Sequence, residues 1–241
     1  MNFIYSKYEH LLDSLKEKKY CFCNYANHEQ FQKAVILRHD VDFSLEKALK
    51  FAELENCKSI PSTYFVLLAT NFYNIFSKKS YEILKEIKNM GHEIGLHFDE
   101  KRYDIANAKE IEYWVKKEID ILECAIDEEI KVVSMHRPSK CILENDIQFE
   151  KVINTYSKLF IGEFKYLSDS RMHWRENVLN IIQKESYDKL HILTHPFWYS
   201  NKEETMRKKL IDFINHSKSE RYDNIKDNFR DLEEVLRVEE L

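Results

Sequence analysis

Glycine and proline are scarce in this chain of 241 residues, which contains three of each. Average composition would supply roughly 17 glycines and 12 prolines, so the positions of the few that occur are informative. Gly91 and Gly95 enclose one polar motif, and Pro138 and Pro196 directly follow two others. The chain therefore interrupts regular structure mainly beside residues that can carry chemistry.

Three further absences exclude classes of protein. The five cysteines are an odd number without C-x-x-C spacing, which argues against a cysteine zinc site and predicts free thiols in a reducing cytoplasm. No apolar stretch is long enough to span a bilayer, and the N-terminus lacks the regions of a signal peptide. The net charge of -5 argues against a general surface for nucleic acids or anionic membranes. We therefore expect a cytoplasmic protein with no membrane span and no nucleic-acid partner.

Strand patterns alternate with helical patterns, which predicts an α/β fold with a parallel sheet. Strands are predicted at 34–41, about 62–68, 93–98, 131–136 and 191–194, and helices at 5–18, 45–55, 107–125, 177–183 and in a segment that stops at Gly91. A weaker pattern predicts a helix at 149–156 and one or two short strands at 160–167. We expect a single domain over 1–241, in which the N-terminal helix and the charged helical C-terminus pack on a barrel at about 34–200.

Ionisable side chains follow several of the predicted strands where the apolar run ends. The segments are Asp40-Val41-Asp42, His97-Phe98-Asp99, His136-Arg137 and Thr194-His195. Parallel α/β sheets and barrels place their chemistry at the carboxyl ends of their strands. Asp and His side chains gathered at one edge are the ligands that a divalent metal needs, so the sequence predicts a metal site there.

Asp40 and Asp42 lie two residues apart, so a regular strand points both carboxylates to the same side. Adjacent carboxylates repel each other unless a cation lies between them or one is protonated. A metal would resolve this repulsion, with one carboxylate as ligand and the other as proton acceptor; the alternative is a pair of solvated loop acids. His97 is the favoured histidine ligand, whereas His92, on the opposite strand face, is expected to be structural.

Five segments together resemble the ordered motifs of the polysaccharide deacetylases, carbohydrate esterase family 4. The segments are Leu37–Asp42, Gly91–Asp99, Arg137-Pro138, Asp169–Trp174 and Leu193–His195, within about residues 34–200. The resemblance implies a distorted, incomplete (β/α) barrel with six or seven parallel strands. It also implies a divalent metal, often zinc, held by an Asp and two His, and removal of acetyl groups from N-acetyl sugars.

The same resemblance implies roles for individual residues. Asp40 is similar to the catalytic base and Asp42 to a metal ligand. His97 matches the first histidine ligand, and Arg137 matches the arginine that orients the base. These roles are expectations carried over from the family's motifs.

The last two motifs imply the proton donor and part of the pocket. Asp169 matches the residue that orients the catalytic histidine, and His195 matches the histidine that protonates the leaving group. Trp174 and Trp198 are expected to bind substrate, and with Phe197 they can stack on a sugar ring. The alternative for these three aromatic residues is a place in the core or at its rim.

The sequence departs from the family at two points. Val41 separates the two acids, which are usually adjacent, so the assignment of base and ligand between them stays open. The second histidine ligand is expected four residues after the first, where this chain has Lys101. His136 is our candidate for the third ligand, with Asp99 and His195 as alternatives, or else metal binding is weak or absent.

These observations predict a metal-dependent hydrolase that removes an acetyl group from an N-acetylated sugar or a sugar intermediate of surface polysaccharide biosynthesis. The His-Asp-Val-Asp motif resembles that of a divergent branch of the family, found in surface-polysaccharide gene clusters. The expected cofactor is zinc, with cobalt, manganese and nickel as alternatives, and the expected partner is a carbohydrate or nucleotide-sugar. Two alternatives remain open: another metal-dependent C–N hydrolase, and a non-catalytic barrel that acts as a binding protein.

Overall fold

The computed structural model describes all 241 residues and divides into two compact units, Met1–Tyr199 and Ser200–Leu241. The first unit contains all eight β-strands. They are β1 (Cys21–Cys23), β2 (Ala34–Val41), β3 (Thr63–Val66), β4 (Glu93–Phe98), β5 (Val132–Met135), β6 (Ile153–Asn154), β7 (Lys165–Ser168) and β8 (Lys189–Thr194).

All strand pairs are parallel, in the order β6-β5-β4-β3-β2-β8-β7, and β1 adds to β2 beside the start of β3. The two ends of this path, β6 and β7, are not paired with each other, so the barrel is open. The predicted fold class, a distorted and incomplete (β/α) barrel, is therefore confirmed, with seven strands along the main path.

Helices follow the strands and flank the sheet. The first unit contains α1 (Tyr5–Glu17), α2 (Leu45–Asn56), α3 (Lys78–Asn89), α4 (Ala108–Ile126), α5 (Lys140–Glu144) and α6 (Val178–Lys184). Local signals define several boundaries: Ser44 and Asn107 accept hydrogen bonds from backbone amides in the first turns of α2 and α4. Gly91 follows α3 with φ of 89°, a left-handed conformation that glycine adopts without steric cost.

Strand β2 lies at the centre of the sheet and is buried along its whole length. Its side chains alternate between two faces, so Arg38 and Asp40 point into the open barrel while His39 points to the helix layer. His39 Nδ1 lies 2.7 Å from Thr194 Oγ1 of β8, which ties the two neighbouring strands together close to their carboxyl ends.

A buried carboxylate, Glu55 of α2, organises the helix side of the sheet. It accepts hydrogen bonds from Tyr8 of α1, Tyr64 of β3 and Ser62, and it pairs with His39 Nε2 at 2.8 Å. Burial alone would raise the pKa of Glu55, but the charge and hydrogen bond of His39 lower that pKa to about 2. One carboxylate thus links two helices to two strands behind the site.

The structure corrects the sequence prediction between residues 149 and 167. The helix predicted at 149–156 is absent, because the chain there forms β6, which pairs with Val132 and Val133 of β5. Asn154 supports this strand by donating a side-chain hydrogen bond to the Ile147 carbonyl at 2.8 Å. Of the strands predicted at 160–167, the structure has β7, preceded by a π-helix at Leu159–Glu163.

The second unit contains α7 (Met206–Lys226) and α8 (Leu232–Val235). Thr205 caps α7 by accepting a hydrogen bond from the Lys208 amide at 3.2 Å. Tyr222 of α7 donates a hydrogen bond to the Leu236 carbonyl at 2.9 Å, which joins the two helices. No helix anywhere in the structure combines the length and the apolar character needed to cross a membrane.

Candidate metal centre and active site

The predicted site residues lie at the carboxyl ends of the central strands. Asp42, His136, Asp169 and His195 each directly follow a strand, and His97 is the penultimate residue of β4. Because the strands are parallel, these positions share one edge of the sheet. The edge that the sequence singles out is therefore the edge at which the structure gathers the ionisable side chains.

Three donor atoms form a compact triangle at this edge. Asp42 Oδ1 lies 3.4 Å from His97 Nε2 and 3.3 Å from His136 Nδ1, and the two histidine nitrogens are 3.2 Å apart. Ligands bound to zinc at its usual distances of about 2.0–2.1 Å lie roughly 3.3–3.4 Å apart at the corners of a tetrahedron. The three residues, two nitrogen donors and one oxygen donor, therefore fit a divalent metal in chemistry and in spacing.

The surroundings of the triangle agree with that fit. Asp42 Oδ1 is buried and has no hydrogen-bond partner. Burial alone would raise the pKa of Asp42, but His136 and His97 hold that pKa well below its usual range. The carboxylate is thus ionised, and its Oδ1 lies within 3.4 Å of a nitrogen of each ring, as a shared metal would require.

The other candidates for the third ligand have different partners. Asp99 is bound by the Arg137 guanidinium and by the backbone amide of Lys101. The Lys101 side chain is exposed and forms no salt bridge or hydrogen bond with Asp42 or His97. The structure therefore places His136 beside Asp42 and His97, and its role as the third metal ligand remains a prediction.

Asp40 adjoins the triangle but is held by a different residue, Arg38. Arg38 donates two hydrogen bonds to the two Asp40 oxygens, at 2.8 and 2.9 Å, and both side chains are buried. Asp40 Oδ2 also lies 3.4 Å from His97 Nε2. Burial opposes ionisation, but Arg38 and then His97 lower the pKa of Asp40 below its usual value. Asp40 is therefore an oriented carboxylate at neutral pH.

This pairing differs from the role expected for Arg137. The Arg137 guanidinium binds Asp99, and the arginine that orients Asp40 is Arg38, two residues earlier on the same strand. From the sequence, no role was assigned to Arg38. The signal was available, because residues i and i+2 of a strand are neighbours on one face. A catalytic role for Arg137 remains a prediction.

A partly exposed histidine, His195, pairs with the buried Asp169 beside the triangle. His195 Nδ1 lies 2.6 Å from Asp169 Oδ1, and the His195 backbone amide donates to both carboxylate oxygens at 3.0 and 3.2 Å. Burial would lower the pKa of His195, but the hydrogen bond and charge of Asp169 raise it to about 9. The other ring nitrogen, Nε2, lies 3.9 Å from Asp42 Oδ2. The protonated ring therefore faces the triangle and can donate a proton there.

An open cavity of about 1190 Å³ lies over these groups. It is lined by Asp40, Asp42, His136 and His195 and by aromatic side chains that include Trp198. Trp174 and Phe197 are buried and are not among the lining residues. Of the predicted aromatic residues, Trp198 alone lines the cavity, and the other two occupy the core positions of the alternative interpretation. Tyr156, Tyr166 and Arg175, which also line the cavity, lie outside the motifs of the sequence analysis, and Arg171 lies within the Asp169–Trp174 segment but was assigned no role.

Comparison with known proteins finds similarity in structure alone. No protein-family model matches the chain, and no curated protein matches its sequence. The solved structures similar to this chain include members of carbohydrate esterase family 4.

Three of these structures illustrate the similarity. A mutant of BA3943 from Bacillus anthracis, a family 4 pseudoenzyme with restored activity, shares 16% identity at a TM-score of 0.47, over 77% of this chain and 64% of that chain. The Streptococcus pyogenes deacetylase PplD has 16% identity and a TM-score of 0.44, over 60% of this chain and 69% of that chain. A Clostridium thermocellum family 4 acetyl xylan esterase, in complex with cobalt, has 13% identity and a TM-score of 0.41, over 77% of this chain and 84% of that chain. The function proposed below rests on the side chains of the site and not on these similarities.

Proposed function

We propose that this protein is a metal-dependent hydrolase that removes the acetyl group from an N-acetylated sugar. The observation that supports it best is the triangle of Asp42, His97 and His136, placed between an oriented carboxylate, Asp40, and a protonated histidine, His195. Amide hydrolysis needs an activated water, a stabilised carbonyl oxygen and a proton for the departing amine. The site contains a residue suited to each of these tasks.

Each group of residues has its own role in the proposed reaction. Asp42, His97 and His136 would hold a divalent ion, which supplies Lewis-acid polarisation of the carbonyl and lowers the pKa of water. Asp40, ionised and held by Arg38, accepts a proton from the attacking water. His195, held by Asp169, donates a proton to the sugar nitrogen as the C–N bond breaks. The products are acetate and the free amino sugar.

Metal analysis of the purified protein tests the ligand set. We expect one ion per wild-type chain, strongly reduced content in the His97→Ala and His136→Ala variants, and full content in Lys101→Ala. His10→Ala is the matched control, because this histidine is exposed on α1. Equal metal content in all variants, or loss in Lys101→Ala with retention in His136→Ala, would show that the proposed set is wrong. Zinc is the ion we propose, and titration with cobalt, manganese and nickel tests that choice.

Acetate release from a panel of N-acetylated sugars tests the reaction. Asp40→Asn should retain the fold and the metal but lose about 100- to 10,000-fold in rate, the usual effect of removing a general base. Asp120→Asn, an exposed position on α4, is the control. Metal binding without acetate release from a broad panel would favour another C–N hydrolase. Absence of both would favour a non-catalytic binding protein.

We extend the proposal to an intermediate of surface polysaccharide synthesis, on the basis of the His-Asp-Val-Asp motif of β2. A cytoplasmic location remains a prediction made from the cysteines, which are odd in number and lack paired spacing. Both extensions are tested by finding which natural acetylated sugar is the best substrate and in which cell fraction the protein occurs.

A further inference from the structure

The wall of the site cavity carries an excess of positive charge, although the chain as a whole has a net charge of -5. Outside the acids of the proposed reaction, the cavity is lined by Lys101, Arg137, Arg171 and Arg175, and by a single acid, Glu100. One oxygen of Glu100 already accepts a backbone hydrogen bond. A neutral sugar has no group that would use this excess of cations.

Three of these cations have no acidic partner in the protein. The side chains of Lys101, Arg171 and Arg175 are exposed and form neither a salt bridge nor a hydrogen bond. Arg137 differs, since its guanidinium is paired with Asp99. Like charges on the wall of one cavity repel each other, and a bound polyanion relieves that repulsion. The unpaired cations therefore form a candidate anion-binding wall.

The loop that carries Arg171 is anchored to the proton donor of the proposed reaction. Arg171 and Met172 have φ of 57° and 55°, in the left-handed region that residues other than glycine rarely adopt. Such conformations persist where the surroundings over-determine them. Here the preceding Asp169 is buried and binds His195, and the Asp169 carbonyl accepts a hydrogen bond from the His173 amide at 3.1 Å. The loop that carries Arg171 is thus anchored to the proposed acid.

We infer that the natural substrate is a phosphorylated amino sugar whose phosphoryl or diphosphoryl group is bound by Lys101, Arg171 and Arg175. This inference rests on the deacetylase function proposed above. Guanidinium groups present paired N–H donors that match phosphate oxygens, and three cations suit a diphosphate better than the single charge of a sugar carboxylate. Two aromatic residues, Trp198 and Tyr166, line the same cavity and can contact the sugar. Sugar diphosphates occur on nucleotide and on lipid carriers, which share this chemistry.

Calorimetric binding of a nucleoside-diphosphate N-acetylhexosamine to the full-length, metal-containing protein tests the wall directly. Arg171→Gln and Arg175→Gln should each weaken binding about tenfold, the effect of one lost charge-assisted contact. Arg207→Gln, exposed on α7, removes the same charge elsewhere and should leave affinity unchanged. If His136→Ala abolishes binding while both arginine variants bind normally, the diphosphate is bound by the metal and the inference is overturned. Circular dichroism confirms that each variant is folded.

Acetate release from three forms of one sugar tests the substrate class and separates the two proposals. The forms are a nucleoside diphosphate, a lipid diphosphate in detergent and the neutral methyl glycoside. We expect kcat/KM at least about tenfold higher for one diphosphate, with a raised KM and a nearly unchanged kcat in the arginine variants. The better diphosphate identifies the carrier. Equal kcat/KM for all three forms would overturn the inference and leave the deacetylase standing. Arginine-dependent binding without acetate release would refute the deacetylase and retain the anion site.

Discussion

Replacing Glu55 by glutamine removes a buried charge that joins α1 and α2 to β2 and β3. The carboxylate accepts hydrogen bonds from Tyr8, Ser62 and Tyr64 and pairs with His39. All four neighbours act as donors toward it. In Glu55→Gln, one of these donors would therefore face the amide N–H of glutamine in place of a carboxylate oxygen. Because the position is fully buried, neither group could bind water instead.

The size of the effect follows from the pKa of Glu55, which is lowered from 4.5 to about 2. A lowering by about 2.5 pH units, at about 1.36 kcal/mol for each, means that the neutral acid costs the folded state about 3 kcal/mol. Leaving a buried donor without its acceptor typically costs about 1–3 kcal/mol, and three hydroxyl groups donate to this carboxylate. Two independent arguments thus predict a loss of about 3 kcal/mol in the free energy of unfolding of Glu55→Gln.

Urea unfolding followed by circular dichroism measures this loss. Glu53→Gln is the matched control, because Glu53 lies on the same helix with 42% of its side chain exposed, and we expect a change within about 0.5 kcal/mol. The folded pKa of Glu55 lies below its unfolded value, so its stabilisation is complete above about pH 4.5 and is lost as the pH falls toward 2. The difference between wild type and Glu55→Gln should narrow over that range. A loss below about 1 kcal/mol at pH 7, or a difference that does not depend on pH, would refute the reasoning.

Three further changes test other parts of the structure. Gly95→Ala would place a Cβ 2.5 Å from a ring carbon of Phe65, and we expect urea unfolding to show a loss of about 1–3 kcal/mol in the free energy of unfolding. Gly162→Ala is the control, because an added Cβ there would have no neighbouring atom within 4 Å, and equal losses in the two variants would contradict the packing argument. Burial lowers the pKa of His191 to about 3. Because the unfolded chain then binds the His191 proton at a higher pH than the folded chain, the free energy of unfolding falls as the pH drops from about 6.5 to 3. His191→Gln should make this decrease smaller, and an unchanged dependence on pH would contradict the argument. Arg38→Met should lower the free energy of unfolding by about 3–5 kcal/mol, because Asp40 loses its buried partner. The double variant Arg38→Met with Asp40→Asn should recover part of this loss. Strictly additive losses in the two single variants would argue against the pairing.

The central strands and their helices could be predicted because a strand buried on both faces is an uninterrupted apolar run. Strands β2 and β4 occupy 34–41 and 93–98, the predicted ranges, and α4 begins one residue after the predicted start, behind its Asn107 cap. Strands β1 and β6 could not be predicted in the same way. They contain three and two residues, too few for any periodicity, and they exist because a neighbouring strand supplies their hydrogen bonds.

The candidate site also has features that could be predicted from the sequence and features that could not. The amino-acid order alone placed Asp40, Asp42, His97, His136 and His195 at strand ends, because apolar runs stop there and parallel strands share an edge.

The partners of these side chains depended on tertiary structure. The closeness of His136 to Asp42 and the pairing of Arg137 with Asp99 arise only when β4 and β5 are in register and the following loops are packed. Alternation predicts the direction of a side chain only within a strand. Beyond the last paired residue, the direction is decided by the contacts of the loop, which link residues far apart in the sequence.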